Sequence, residues 1–146
     1  MNRMKIIEPS FWFLPINGDE MLRRIERAGR TCYKSEDKIT ADSARKFVAG
    51  IIKSGHESVI EHEKMTVRIV CDRGVTHEIV RHRIASYSQE STRYCNYSND
   101  KFGNELTFIR PFYWKDDPVK MGVWTNAMER IEQDYMELIR LGATPQ

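Results

Sequence analysis

The sequence predicts an α+β fold, in which a small sheet is flanked by helices and a long helix closes the chain. Residues 4–7 form a short apolar run and residues 64–71 alternate between apolar and polar, as strands do. Two segments, 19–29 and 43–52, repeat apolar residues at helical spacing. A final segment repeats them at intervals of four and three residues, which predicts a helix with one apolar stripe (Trp124, Met128, Ile131, Tyr135 and Leu138).

Capping residues set the expected ends of these helices. Asp19 is expected to cap the first helix and Gly29 to lie near its end, because a carboxylate caps free N–H groups and glycine tolerates a left-handed terminus. Asp42 or Ser43 begins the second helix, which Gly55 ends.

The rest of the chain supplies three further elements. Residues 75–83 are expected to form a third helix that packs Val75, Ile79 and Val80 inward. Glu78 and His82, four residues apart, share a face of this helix. Residues 106–109 read as another strand, stopped by Pro111. The final helix ends at Gly142, and its apolar stripe is expected to lie in the core or in a subunit interface.

Length and composition favour one globular domain spanning residues 1–146. Hydrophobic residues make up 40% of the chain and charged residues 30%, as in soluble globular proteins. No apolar run has the length of a membrane span, and the N-terminus lacks the apolar stretch of a signal peptide. We therefore expect a cytoplasmic protein without a membrane partner.

Positive charge is local rather than general. The chain has 23 basic and 21 acidic residues, a net charge of +2, which argues against a protein that binds nucleic acid over a broad surface. Four arginines nevertheless lie close together in the sequence: Arg73, Arg81, Arg83 and Arg93. This local cluster suits a small anionic ligand.

Neither the cysteines nor the histidines predict a metal site. Cys32, Cys71 and Cys95 are widely spaced and form no CxxC pair, so reduced structural thiols are expected. His56 and His62 are six residues apart, whereas the zinc-protease helix needs two histidines four apart. A polar turn or a cleft-lining loop is the better interpretation of this segment.

The most informative stretch is residues 81–94, RHRIASYSQESTRY. It holds three guanidinium groups, one imidazole and four hydroxyl side chains besides tyrosine (Ser86, Ser88, Ser91 and Thr92). Guanidinium groups match phosphate oxygens in a planar, often bidentate manner, and hydroxyls add short hydrogen bonds. Because the chain contains no glycine-rich phosphate loop, a nucleotide would have to be held by these side chains.

Arg81-His82-Arg83, seven residues and then Ser91 resemble the signature of the flavin-dependent thymidylate synthases. The surroundings are similar to that family as well, with GHESVIEH upstream and a long helix running to LGATPQ. The resemblance covers essentially the whole chain. It implies an enzyme that methylates dUMP to dTMP, taking the one-carbon unit from methylenetetrahydrofolate and reducing equivalents from NADPH through FAD.

The resemblance also assigns roles to particular positions. It implies FAD contacts from five residues: Ser58, Arg81, His82, Arg83 and Gln89. It implies dUMP contacts from seven residues: Glu78, Arg81, Gln89, Glu90, Ser91, Thr92 and Arg93. Many relatives have glutamine at the position of Glu78, and an ionised acid there cannot donate a hydrogen bond.

Family chains usually continue with a further helical segment, which includes the arginine thought to activate the pyrimidine. This chain ends before that segment, so we expect a fragment or a truncated enzyme of impaired activity and assign it no catalytic residue. The family forms homotetramers with shared active sites, and the same assembly is expected here.

Two other classes of protein stay open at this point. Arginines interleaved with Tyr87, Tyr94 and Tyr97 could serve a single-stranded nucleic-acid binding module. A non-catalytic assembly subunit built around the final helix would bind neither flavin nor nucleotide.

Overall fold

The computed structural model describes residues 4–145, and its elements confirm the α+β class. The strands are β1 (Lys5–Ile7), β2 (Ser10–Phe13), β3 (Val67–Val70) and β4 (Thr107–Ile109). The helices are α1 (Gly18–Tyr33), α2 (Ser43–Lys53), α3 (Arg73–Ile79) and α4 (Pro118–Arg140). Short 3-10 turns lie at Glu36–Lys38, Glu57–His62, Asp100–Phe102 and Phe112–Trp114.

The strands form two small sheets, one of β1 with β4 and one of β2 with β3. The chain also divides into two compact units. The helix-pair unit is Phe11–Arg68, and the motif unit comprises residues 4–10 and 69–145 of the described chain. Within the described residues, no helix combines the length and the apolar character needed to cross a membrane.

An apolar core joins α1 to α2 in the helix-pair unit. It contains Ile25, Val48, Ile51 and Val59, all buried. Gly29 lies inside α1 rather than at its end. Glycine fits this position because the ring of Phe47 packs so close that an added Cβ would stand 2.6 Å from the Phe47 Cε1 atom. The helix continues beyond Gly29 to Tyr33, so this glycine does not terminate it.

The ends of α1 also differ from expectation. Asn17, not Asp19, is the N-cap, and its side-chain oxygen accepts a hydrogen bond of 3.1 Å from the Glu20 N–H. Asp19 instead lies in the first turn, where an acid favours the positive end of the helix dipole. At the other end, Lys34 takes the left-handed conformation that completes the C-cap.

A buried polar centre lies beside that apolar core. Glu26 is 1% exposed, and its carboxylate accepts hydrogen bonds of 3.0 and 3.2 Å from the guanidinium of Arg30. It also accepts one of 2.8 Å from the hydroxyl of Ser43, at the start of α2. The Arg30 guanidinium stacks 4.4 Å from the centre of the Phe47 ring. Glu26 thus has a partner on each helix.

Strands β1 and β4 run parallel in the motif unit, with Lys5 opposite Thr107 and Ile7 opposite Ile109. Helix α4 lies against β4, where the rings of Phe108 and Trp124 meet edge to face at 6.4 Å. The buried Glu132 on α4 accepts a hydrogen bond from the backbone N–H of Leu106, which directly precedes β4. The predicted strand at 106–109 is confirmed within one residue.

The packed side of α4 is rotated from the predicted stripe. Trp124, Met128 and Tyr135 are half-buried, whereas Ile131 and Leu138 are exposed. The buried residue of α4 is Glu132, which an apolar pattern does not select.

Candidate ligand-binding loop

Helix α3 is shorter than the sequence suggests and leads directly into the candidate site. Its N-cap Asp72 accepts a hydrogen bond of 3.0 Å from the Val75 N–H, and the helix ends at Ile79. The next amides, of Arg81 and His82, donate to carbonyl groups only three residues back, which tightens the chain into a turn. β-Branched residues crowd this segment and lower its helix propensity.

This early end alters the predicted face and the predicted packing. Glu78 belongs to α3, whereas His82 lies beyond it, so the two side chains do not share one helical face. Val75 and Val80 are exposed rather than packed inward, and Ile79 alone of the three is half-buried. The basic motif is consequently carried by a loop.

Residues 81–90 are all exposed. Ile84, which directly follows Arg83, is 100% exposed. Within residues 4–145, no ion pair or side-chain hydrogen bond occupies the guanidinium groups of Arg81 or Arg83 or the ring of His82. The backbone is held locally, because the Tyr87 hydroxyl donates to the His82 carbonyl at 2.9 Å. The loop therefore presents cationic groups that no acid of the described chain neutralises.

The next part of the loop is anchored to α3. The side-chain amide of Gln89 donates to the Thr76 hydroxyl at 2.7 Å. The Arg73 guanidinium donates to the main-chain carbonyl of Glu90 at 3.3 Å. These two contacts fix the residues that directly precede Ser91.

Ser91 is half-buried and lies at a sharp turn. Its hydroxyl oxygen accepts from the Arg93 N–H at 3.2 Å, and its carbonyl accepts from the Cys95 N–H at 3.1 Å. The Ser91 hydroxyl thus acts as an acceptor in this turn and does not donate a hydrogen bond there. Thr92 and Arg93 are exposed, and within the described residues no other side chain pairs with the Arg93 guanidinium. A hydroxyl donor and a guanidinium two residues apart are suited to an anionic oxygen.

The structure brings most of the predicted residues into one segment but does not place them all there. Glu78, Arg81, His82, Arg83 and 89–93 belong to α3 and the loop of the motif unit. Ser58 belongs to the helix-pair unit, where it is exposed in the 3-10 turn Glu57–His62.

A separate cleft of about 510 Å³ lies in the helix-pair unit. Its wall includes Arg30, Tyr33, Lys46, Gly50 and His56, and none of the predicted site residues. The Tyr33 hydroxyl and the His56 Nδ1 atom are 3.2 Å apart, and Arg30 is already committed to Glu26. We place the candidate site on the loop rather than in this cleft, because the Arg81, Arg83 and Arg93 guanidinium groups have no partner within the described residues.

Histidine and cysteine side chains give no sign of metal chemistry. Across residues 4–145, no three His, Cys, Asp or Glu side chains converge in a metal-binding arrangement. Cys32, Cys71 and Cys95 are free thiols. Burial, together with the charge of Asp72, raises the pKa of Cys71 and so disfavours its nucleophilic thiolate form.

The family model described as thymidylate synthase complementing protein matches residues 17–146. Because this match covers most of the sequence, the chain belongs to that family.

Similar curated proteins carry the name flavin-dependent thymidylate synthase, which confirms the resemblance seen in the sequence. The one from Pyrococcus abyssi is 37% identical over 110 residues, covering 75% of this chain and 44% of the relative. The one from Mycolicibacterium vanbaalenii is 35% identical over 131 residues, covering 88% and 49% respectively. The chain therefore spans about half the length of these relatives.

Sequence reasoning did not assign Arg73, Thr76 or Tyr97 to the site, yet all three contact its loop. Arg73 belongs to the local basic cluster, which is a weak signal of its position. A threonine on a short helix and a tyrosine beyond the motif carry no pattern that marks them as anchors.

Proposed function

We propose that this chain forms part of a flavin-dependent thymidylate synthase and supplies its loop for FAD and dUMP. The reaction would methylate dUMP to dTMP with methylenetetrahydrofolate as one-carbon donor and NADPH as reductant. Family membership supports the reaction class. The single observation that carries the loop assignment is the set of exposed guanidinium groups, Arg81, Arg83 and Arg93, without partners in the described chain.

The residues present fit a phosphorylated flavin. Arg81 and Arg83 offer planar donors to phosphate oxygens, and exposed Ile84 between them and Ser86 offers an apolar surface to a ring. We assign FAD contacts to Arg81, His82, Arg83, Gln89 and Ser58. FAD, when bound, would supply the redox chemistry, while these side chains would bind and orient it.

The nucleotide would lie against the second half of the loop. We assign its phosphate to the Ser91 hydroxyl and the Arg93 guanidinium, which are close along the chain and free to donate. Gln89, Glu90 and Thr92 would complete the loop around dUMP, with Arg81 and Glu78 contacting the same ligand. Glu78 is an exposed acid on α3 and can accept a hydrogen bond but not donate one when ionised.

The proposal extends to the whole protein. Residues 1–146 would act as one domain, the N-terminal part of such an enzyme, in a cytoplasmic homotetramer whose active sites are shared between subunits. No catalytic residue is assigned within this chain.

The test is cofactor retention followed by nucleotide affinity. We expect the purified protein to keep the visible absorption bands of FAD after excess FAD has been removed. With FAD bound, Arg93→Ala should weaken dUMP binding by roughly 10- to 100-fold, the range expected for a charge-assisted hydrogen bond. Arg130→Ala is the matched control, because Arg130 is an exposed arginine on α4 with only a long ion pair to Asp134.

Two results would contradict the proposal. A protein that retains no FAD would remove the cofactor assignment. Equal dUMP affinities for Arg93→Ala and Arg130→Ala would remove Arg93 from the phosphate site.

A further inference from the structure

Both the main chain and the side chain of Glu90 form hydrogen bonds within the protein. Its main-chain carbonyl accepts from Arg73, and its side-chain carboxylate accepts a hydrogen bond from the Tyr97 hydroxyl. Glu90 directly precedes Ser91, so an acid is adjacent in sequence to the segment in which the Ser91 hydroxyl and the Arg93 guanidinium can donate to an anion. An acid in this position needs a physical explanation, because a carboxylate repels a phosphate.

Tyr97 is itself well anchored. Its backbone N–H donates to the hydroxyl of Tyr135 on α4 at 3.2 Å. Its ring lies 5.2 Å from the ring of Phe102 and 6.4 Å from that of Tyr135. Burial, followed by the hydrogen bond to Glu90, raises the pKa of Tyr97, so its hydroxyl keeps its proton and serves as a donor throughout the neutral range.

An unrestrained Glu90 carboxylate would have two effects on a bound anion. It would compete with the ligand for the guanidinium of Arg93, and it would repel the ligand directly. In the structure, Glu90 bonds to Tyr97, and no ion pair joins Glu90 to Arg93 within the described residues. The Tyr97 hydroxyl thus binds the Glu90 carboxylate, and the Arg93 guanidinium is left without an acidic partner in the described residues.

We infer that Tyr97 is a positioning residue for the nucleotide site. By donating to Glu90 it holds the carboxylate in place and leaves Ser91 and Arg93 free for the phosphate of a nucleoside monophosphate. This inference rests on the proposed function, since it concerns the same loop and ligand. Glu90 then contributes to the loop through its main chain, while its side chain is used within the protein.

The experiment is a double-mutant cycle on dUMP affinity, measured by calorimetry on the FAD-bound protein. Tyr97→Phe removes one hydroxyl and keeps the ring, and we expect it to weaken dUMP binding about tenfold. Glu90→Gln removes the charge, and its own dUMP affinity is the reference for the second half of the cycle. The double variant should bind like Glu90→Gln, because without the carboxylate there is nothing left for Tyr97 to restrain.

A purely structural role for Tyr97 predicts a different pattern of dUMP affinities. If the hydroxyl only supports the fold of the loop, Tyr97→Phe will weaken dUMP binding as much in the Glu90→Gln background as in the parent, and this result would overturn the inference. Unchanged dUMP affinity in Tyr97→Phe would overturn it as well.

Failure of the proposed function can be recognised separately. The parent protein is titrated with dUMP first, and carbon-13 NMR of labelled tyrosine at neutral pH then compares the Cζ chemical shift of Tyr97, which responds to the hydrogen bond of its hydroxyl, in the parent and in Glu90→Gln. A parent that does not bind dUMP overturns the proposed function and the nucleotide role of Tyr97 together. If the parent binds dUMP and the Tyr97 Cζ chemical shift is identical in both proteins, the pairing with Glu90 is wrong and the proposed function stands.

Discussion

The buried carboxylate of Glu132 accepts a hydrogen bond of 2.7 Å from the backbone N–H of Leu106. Glu132 lies in the middle of α4, and Leu106 immediately precedes β4, so one side chain ties the long helix to the start of a strand. The neighbouring Leu106 carbonyl accepts from the Lys5 N–H at 2.9 Å, which extends the connection to β1.

Removal of this carboxylate should loosen the parallel strand pair. In Glu132→Ala the Leu106 N–H would lose its acceptor in a partly buried setting, and we expect the free energy of unfolding to fall by roughly 1–3 kcal/mol. Hydrogen exchange at the Leu106 amide should accelerate in parallel. Glu132→Gln keeps an acceptor oxygen and serves as the control. Equal exchange rates in parent and Glu132→Ala would contradict this role.

The buried Glu26 should be the most sensitive polar position of the helix-pair unit. Glu26→Ala leaves the Arg30 guanidinium without its buried partner, so the free energy of unfolding should fall by about 3–5 kcal/mol. Denaturant unfolding measures this loss. Glu36→Ala, which changes an exposed acid of the same unit, should stay within about 0.5 kcal/mol of the parent. A similar small effect at Glu26 would show that the pair contributes little.

Two helical glycines should respond to alanine with opposite signs. An added Cβ at Gly29 would meet Phe47 at 2.6 Å and Val59 at 3.1 Å, so Gly29→Ala should destabilise the protein by about 1–2 kcal/mol despite alanine's helix propensity. At Gly50 nothing lies within 4 Å, and Gly50→Ala should stabilise α2 by up to about 1 kcal/mol. Thermal melts of both variants test this contrast, which fails if the two shifts share a sign.

The ion pair of Arg24 and Glu63 should make stability depend on pH. Its hydrogen bonds from the Arg24 guanidinium, one of 2.9 Å, lower the pKa of Glu63 below its ordinary value. A lowered pKa contributes stability above the ordinary glutamate pKa of about 4.3, and this contribution is lost as the pH falls through the lowered value.

Glu63→Gln should therefore lower the melting temperature at pH 7, and its difference from the parent should shrink steadily on acidification. Arg45→Gln is the comparison, because its contact with Asp19 is exposed on both sides and should have little effect at any pH. A difference between Glu63→Gln and the parent that stays constant with pH would exclude the ion pair as its cause.

Local signals predict α2 and the strands β1, β3 and β4 better than the ends of α1 and α3, and they do not predict β2. Asp42 and Gly55 flank α2 as expected, and Gly55 has the positive φ of 68° that favours glycine. At α1 two residues, Asn17 and Asp19, could each serve as the cap, and sequence alone does not decide between them. Gly29 suggests a helix end in the sequence, but glycine is needed there because the ring of Phe47 packs closely against it, which is a tertiary contact.

The tertiary arrangement of the site could not be read from the sequence. β1 and β4 pair although about a hundred residues separate them, and no local pattern encodes that partnership. The arginine motif identified the loop, because its residues are contiguous. Its anchors could not be identified this way, since Thr76, Arg73 and Tyr97 reach the loop through the folded chain.

Glu26, with Arg30 on its own helix and Ser43 on the next, restricts how α1 and α2 can slide past each other. Apolar side chains such as Val48 and Ile51 could find new neighbours after a shift of one helical turn. The same shift, about 5.4 Å, would carry the Ser43 hydroxyl out of reach and leave a buried charge short of a donor. One carboxylate therefore selects a single register for the helix pair, independently of how much it adds to the stability of the fold.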